Sequence, residues 1–232
     1  MRILIGCEAS GVVREAFRRL GHDAWSCDLR PAEDGSPYHL QCDLLTILDD
    51  GWQRMIAHPD CTYLTNSAEW AYGDGPYHQQ TKPGTLVGSA RRAARDDAVD
   101  FVKRLWGAPI DEICLENPAG CLTSRFRRPT QYIHPYQFGA DASKKTGLWL
   151  KGLPRLRPTM RIAGRLVEWP RGSGRMVERW SNQTDSGNNK LTPTDDRWAI
   201  RSLTYDGIAR AMAEQWTENP LRSQLRQLQL ID

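Results

Sequence analysis

The chain has 232 residues and a mass of 26.4 kDa, with 40% hydrophobic and 25% charged residues, which is enough for one substantial core. No apolar run approaches the roughly 18 to 20 residues of a membrane span, and no basic-then-apolar leader opens the chain, so no membrane partner and a cytoplasmic location are expected. Net charge is only +3 but unevenly placed: residues 121–180 carry 13 Lys or Arg against 3 Asp or Glu, a basic third beside an acidic remainder that points to a polyanion such as nucleic acid.

The six cysteines, at 7, 27, 42, 61, 114 and 121, include no C-x-x-C pair, which predicts reduced thiols rather than a disulfide framework. His58 and Cys61 have no matching second pair, so no metal is expected.

In chain order, Arg2–Ile5 is a β-rich run. Gly6-Cys7-Glu8-Ala9-Ser10-Gly11 comes next as a small-residue turn, and then Val12, Val13, Ala16, Phe17 and Leu20 recur at helical spacing up to Gly21. Such a strand, turn and helix can present backbone amides and the positive helix end to a ligand. Residues 23–27 predict a second strand ending in Asp28, and 38–42 a third ending in Asp43; each acid either binds ligand hydroxyls or caps the next helical turn. Residues 44–52 predict a short helix, and 53–57 a fourth strand that delivers His58-Pro59-Asp60-Cys61-Thr62. Residues 66–82 are aromatic and glycine-rich and read as a long loop over the same face.

From Ser89 an amphipathic helix is predicted, with Ala90, Ala94, Ala98, Phe101, Val102 and Leu105 on its apolar stripe and Arg91, Arg92 and Arg95 mostly off it, ended by Gly107 and Pro109. A fifth strand, 111–115, runs into Glu116-Asn117-Pro118; 131–138 and 146–150 predict a sixth and a seventh, with Ser143-Lys144-Lys145 between them. Residues 152–194 are rich in Pro, Gly and Arg, with at most a hairpin near 160–169. Residues 208–216 predict a last helix, and 221–232 a leucine-bearing tail. No internal repeat is present.

Strands alternating with helices predict an α/β fold with a mostly parallel seven-stranded sheet, whose strand ends gather Gly6–Gly11, Asp28, Asp43, Cys61 and Glu116 in one crevice. In this order the set resembles the cytosine-C5 DNA methyltransferases, in particular short phage-type members, over about 150 residues and again at the carboxyl end. The resemblance implies a Rossmann-like, S-adenosylmethionine-dependent methyltransferase fold. It places Gly6, Cys7, Glu8, Ser10 and Gly11 at the methionine-binding turn, Asp28 at the ribose and Asp43 at the adenine. His58 and Pro59 border the cofactor, with Cys61 as nucleophile, Glu116 and Asn117 as the acid motif, Lys145 near an arginine-bearing motif, and 205–216 as the helix that closes the cofactor pocket. It further implies a catalytic domain of 1–151 plus 195–220, a basic insertion at 152–194 in place of a full target-recognition domain, and a tail at 221–232.

The chemistry suits these residue types. Cytosine C5 is a poor nucleophile until a thiolate adds to C6 while an acid near N3 absorbs the developing charge. DNA would be met as a duplex with the base flipped out, or as a single strand. Four departures stand out: Glu8 and Ser10 where glycine is usual, Asp60 before the cysteine, Lys for arginine near 145, and only about 45 residues in the recognition region. Asp60 is expected to raise the thiol pKa. Action on RNA or a nucleotide, and a noncatalytic nucleic-acid-binding protein, are the competing readings. The oligomeric state is not legible.

Overall fold

The computed structural model describes residues 1–77, 81, 83–191 and 204–217. Seven strands form the central sheet: β1 (Arg2–Gly6), β2 (Asp23–Asp28), β3 (His39–Gln41), β4 (Arg54–Ala57), β5 (Glu112–Pro118), β6 (Gln131–Ile133) and β7 (Thr146–Lys151). Their spatial order is β3-β2-β1-β4-β5-β7-β6, and only β7 runs against its neighbours. The mostly parallel, seven-stranded Rossmann-like sheet expected of a methyltransferase fold is therefore the one observed.

Parallel strands need both faces covered, and the burial pattern supplies both. Ile3, Ile5, Ile56, Cys114 and Leu148 pack beneath α1 (Val12–Arg18) and the final helix, while Leu4, Met55, Ala57, Ile113, Leu115 and Trp149 pack beneath α2 (Gly88–Trp106). A short α3 (Leu122–Arg125) comes after β5, and α4 (Asp206–Thr217) places Ile208, Ala209, Met212, Ala213 and Trp216 in the first of these clusters. The Trp216 indole donates to Pro154 O at 2.9 Å, which ties α4 to the chain leaving β7.

Several expectations change. The helix expected over 44–52 is a single 3-10 turn, Leu44–Thr46. The Trp52 indole donates to Ile47 O at 2.7 Å and Gly51 takes a φ of 75°, folding the chain back into β4. The sixth strand stops at Ile133, because Pro135 starts a 3-10 turn closed by Gln137, whose side chain accepts from His134 N at 2.7 Å. The hairpin in the insertion lies later than expected, β8 (Arg165–Glu168) pairing antiparallel with β9 (Met176–Arg179).

Helix α2 also differs from its predicted stripe. Its buried positions are Gly88, Arg91, Arg95, Val99, Val102 and Leu105, whereas Ala90 is exposed. Two arginines continue the apolar stripe because polar loop atoms, not the sheet, lie under the first half of the helix. The expected tail at 221–232 falls outside the described residues.

Where α4 crosses the 3-10 turn after β6, a Cβ at Gly207 would sit 1.8 Å from Phe138 O. Gly207→Ala is expected to destabilise the fold by about 1–3 kcal/mol, because a backbone carbonyl has to move. A lowered urea midpoint checks this, and Gly73→Ala, at a φ of −74° with its nearest neighbour Trp70 O 3.6 Å from the added Cβ, serves as the comparison.

Candidate active site

The crevice lies at the carboxyl ends of β1 and β4, where the chain order of the sheet reverses and where open α/β sheets bind ligands. His58 N donates to Gly6 O at 3.0 Å, carrying the β1–β4 pairing one step past the strand. Gly6 permits this close packing, since a Cβ there would lie 2.4 Å from Leu44 Cδ2. Cys7 adopts a φ of 56°, unusual for a residue with a side chain.

Glu8 turns inward. Only 4% exposed, it accepts from Val13 N at 2.7 Å and from Arg14 N at 3.2 Å, so it fills the amino end of α1 that sequence reasoning assigned to the ligand. Burial raises its pKa, against the charge of His58 and those two amides. Ser10 Oγ accepts from Val12 N at 3.5 Å. Gly11 has a φ of 74°, and the space beside it is taken by the guanidinium of Arg14, a wholly buried side chain that also donates to Ser26 Oγ at 2.8 Å and pairs with Asp34.

The charges of three carboxylates reach the Cys7 thiol. Its pKa is pushed up to about 12 by burial, with the charges of Asp28, Asp60 and Asp43 adding to it. Asp28 accepts from Arg30 N at 2.9 Å, and Asp43 caps the 3-10 turn through Leu45 N at 2.9 Å. Of the two acids, Asp43 takes the capping role, while Asp28 closes a turn after β2. A rim of carboxylates around a concave strand end suits a ligand that carries hydroxyls and a positive charge. Asp28 and Asp43 are hydrogen-bond acceptors for such a ligand, whereas the amino end of α1 does not offer it open amides.

The opening of the crevice toward β5 holds the reactive groups. His58 Nδ1 lies 3.4 Å from Glu116 Oε2. Burial opposes a charge on His58, but the hydrogen bond and charge of Glu116, with Glu8 beyond it, outweigh burial and raise the His58 pKa; Lys144 acts against this. Burial likewise opposes the Glu116 carboxylate, yet the His58 hydrogen bond, the charges of Lys144 and His58, and the Thr146 hydroxyl lower its pKa. These residues line an enclosed cleft of about 20 Å3, room for one water, closed by Pro135, Tyr205, Ile208 and Met212.

Asn117, 1% exposed, donates from Nδ2 to Pro59 O at 2.7 Å and so ties the loop after β4 to the end of β5. Asp60 Oδ1 accepts from Thr62 N at 2.9 Å and from Thr62 Oγ1 at 2.7 Å, while Cys61 O accepts from Leu64 N and Thr65 N. Asp60 thus shapes the turn that presents Cys61, a second role beside its charge. His58 Nε2 and Asn117 Oδ1 are buried with no hydrogen-bond partner among the described residues.

Lys145 is not brought to this cleft. Its ammonium lies 4.2 Å above the Tyr132 ring, and its neighbour Lys144 lines the cleft beside Glu116. Sequence reasoning also missed Arg95, which donates to Tyr63 O at 2.9 Å and Thr65 O at 3.3 Å, pairs with Glu69 at 2.7 Å and lies 3.4 Å from the Tyr72 ring centroid, pinning the loop after Cys61 onto α2. Its spacing of four from both Arg91 and Val99 on the buried stripe was the available signal.

The fold and crevice make this an α/β protein with a mostly parallel, Rossmann-like seven-stranded sheet. No family model matches the chain, and no curated protein matches it. Among solved structures it is similar to an E. coli protein described as a "putative DNA modification methyltransferase encoded within prophage", at 12% identity and a TM-score of 0.42, over 70% of this chain and 52% of that one. The chain spans about half the length of that protein.

The geometry gives two expected outcomes. Asn117→Ala leaves the Pro59 carbonyl without its donor and is expected to lower stability by about 1–3 kcal/mol, read by urea unfolding. The lowered Glu116 pKa contributes stability above its ordinary 4.5 that is lost as pH falls through the folded value. The raised His58 pKa contributes stability below its ordinary 6.5 that is lost as pH rises through the folded value. The advantage of the native chain over His58→Gln is therefore expected to peak between those two folded values and to shrink on both sides, measured as unfolding free energy against pH.

Proposed function

We propose that the chain is an S-adenosylmethionine-dependent methyltransferase acting on C5 of cytosine in DNA, through a covalent adduct of Cys61. The observation that carries this reading is the Asn117–Pro59 hydrogen bond, which ties the Cys61 loop to the strand end bearing Glu116. A thiol in the loop after β4 and a carboxyl on the adjacent parallel strand β5 can then address two sites of one flat ring. The carboxylate rim of Asp28 and Asp43 supports the cofactor, and the basic segment 121–180 supports a nucleic-acid substrate.

In this mechanism Cys61 Sγ adds as a thiolate to C6 of the base, the C5–C6 π pair delocalises toward N3, and N3 takes a proton through Glu116 from the His58 imidazolium, whose Nδ1 lies 3.4 Å from Glu116 Oε2. His58 and Lys144 hold Glu116 in place. The cofactor supplies an electrophilic methyl group on sulfur, which C5 accepts. Loss of the C5 proton to water, departure of Cys61 as thiolate and return of the N3 proton through Glu116 to His58 then restore the aromatic ring. Asn117 fixes the approach of the Cys61 turn, and Arg95 holds its far side.

A second reading is favoured by Asp60 and Glu8: a noncatalytic DNA-binding protein that keeps the fold. A carboxylate beside the thiol opposes thiolate formation, and Glu8 occupies amides that a ligand could use.

Duplex DNA containing 5-fluorocytosine, incubated with S-adenosylmethionine, separates the two. The native chain is expected to give a covalent complex resistant to denaturing electrophoresis, and Cys61→Ser none. Absence of a complex while S-adenosylmethionine still binds rejects the C5 mechanism. Asp60→Asn keeps an oxygen to accept from Thr62 but removes the charge, so it should trap roughly ten-fold faster near neutral pH if charge is the obstacle, a ten-fold change corresponding to one unit of thiol pKa.

A further inference from the structure

Residues 152–191 carry eight Lys or Arg against three Asp or Glu, a balance of +5. All three acids are engaged within the segment. Glu178 pairs with Arg161, Asp185 with Arg165 at 2.5 Å, and Glu168 accepts from Gly174 N at 2.6 Å. Two of the surplus cations, Arg171 and Arg175, are displayed at the tip, Trp169-Pro170-Arg171-Gly172-Ser173-Gly174-Arg175, every residue of which is exposed. Among the described residues, Arg171 and Arg175 form no salt bridge.

The β8–β9 hairpin carrying this tip pairs with no other strand among the described residues. It also leaves large apolar side chains in solvent, Leu166 at 65%, Met176 at 55% and Trp169 at 39% exposure. An isolated two-stranded hairpin is marginal in water. This one is held at its root, where Trp180 stacks on Tyr136 with ring centroids 3.9 Å apart and 9° between planes, and the indole donates to Ile162 O at 3.0 Å. Asn182 exchanges two hydrogen bonds of 2.9 Å with the Ser143 backbone. Ser143 immediately precedes Lys144, which lines the Glu116 cleft, so the root of the hairpin is fastened beside the candidate active site.

We infer that the β8–β9 hairpin is a duplex-DNA-reading ribbon that enters the major groove beside the target base, with the Arg171 and Arg175 guanidiniums donating to guanine edges. This rests on the proposed DNA substrate and deepens that reading by naming the element that selects the site. The dimensions agree. Two-stranded ribbons fit the roughly 12 Å width of the groove, and four residues per strand give about 13 Å of reach, beyond the roughly 8.5 Å depth. Arginine makes bidentate contacts to guanine O6 and N7, and the apolar flanks at Leu166 and Met176 are suited to thymine methyl groups. The deep, narrow major groove of A-form RNA would not admit the ribbon.

The test is binding of the full chain to a randomised duplex library, then fluorescence anisotropy on the selected duplex. The native chain should enrich sites with guanine at fixed positions. The double variant Arg171→Ala, Arg175→Ala should lose roughly ten-fold or more in affinity together with that preference, at an unchanged unfolding midpoint. Trp169→Ala, at the same tip, should weaken binding in the same direction. Unchanged affinity and preference in the double variant overturn the proposal, as do tighter binding of an RNA duplex of the same sequence and failure of the native chain to bind any duplex. Hairpin-dependent duplex binding without a Cys61 adduct leaves the ribbon standing and removes only the C5 mechanism; adduct formation that the tip variants leave unchanged does the reverse.

Discussion

The candidate site depends on how β4 and β5 are joined beyond their parallel ladder. At one end of the pair, Arg54 on β4 donates to Glu112 on β5 from Nε at 2.9 Å and from Nη2 at 2.5 Å. At the other end, Asn117 holds the Pro59 carbonyl and His58 meets Glu116. Parallel pairing fixes the lateral positions of two strands but leaves the loops that leave them undirected. These side-chain ties direct them. Because Asn117 and Arg54 are almost fully buried, each tie lies where an unmet polar group would be costly.

Charge is organised in the same way. The acidic rim of Asp28, Asp43 and Asp60 and the Glu116–His58–Lys144 group stand at neighbouring strand ends, and Glu8 lies close enough for its charge to act on His58. One end of the crevice therefore suits a cationic ligand, and the other keeps a carboxyl ionised in a buried place. Glu8 stabilises α1 from within by meeting two of its open amides.

Basic residues divide into two populations that net charge does not distinguish. Arg14, Arg54, Arg91 and Arg95 are buried and act as internal braces. Arg95 alone bridges two loop carbonyls, a carboxylate and an aromatic ring, giving the chain a fixed path from Cys61 to the 3-10 turn Glu69–Tyr72. The arginines of the β8–β9 tip remain in solvent, where their charge can act on a partner.

Alternation of apolar strands with helical repeats was enough to predict the central sheet, because strands buried on both faces read as continuous apolar runs such as Ile3–Ile5 and Met55–Ala57. The order of Asp28, Asp43, Cys61 and Glu116 at successive strand ends was legible for the same reason: each sits where an apolar run stops. Tertiary structure alone decided which neighbours they have. Lys144 rather than Lys145 meets the cleft because side chains on either side of a strand start point in opposite directions, and sequence carries no register for that choice. Arg91 and Arg95 lie inside because a loop from distant sequence covers α2, and Glu8 turns from ligand contact to helix cap because its own backbone brings it within reach of Val13 N. Periodicity reports which face of an element is covered; only the folded chain determines what covers it.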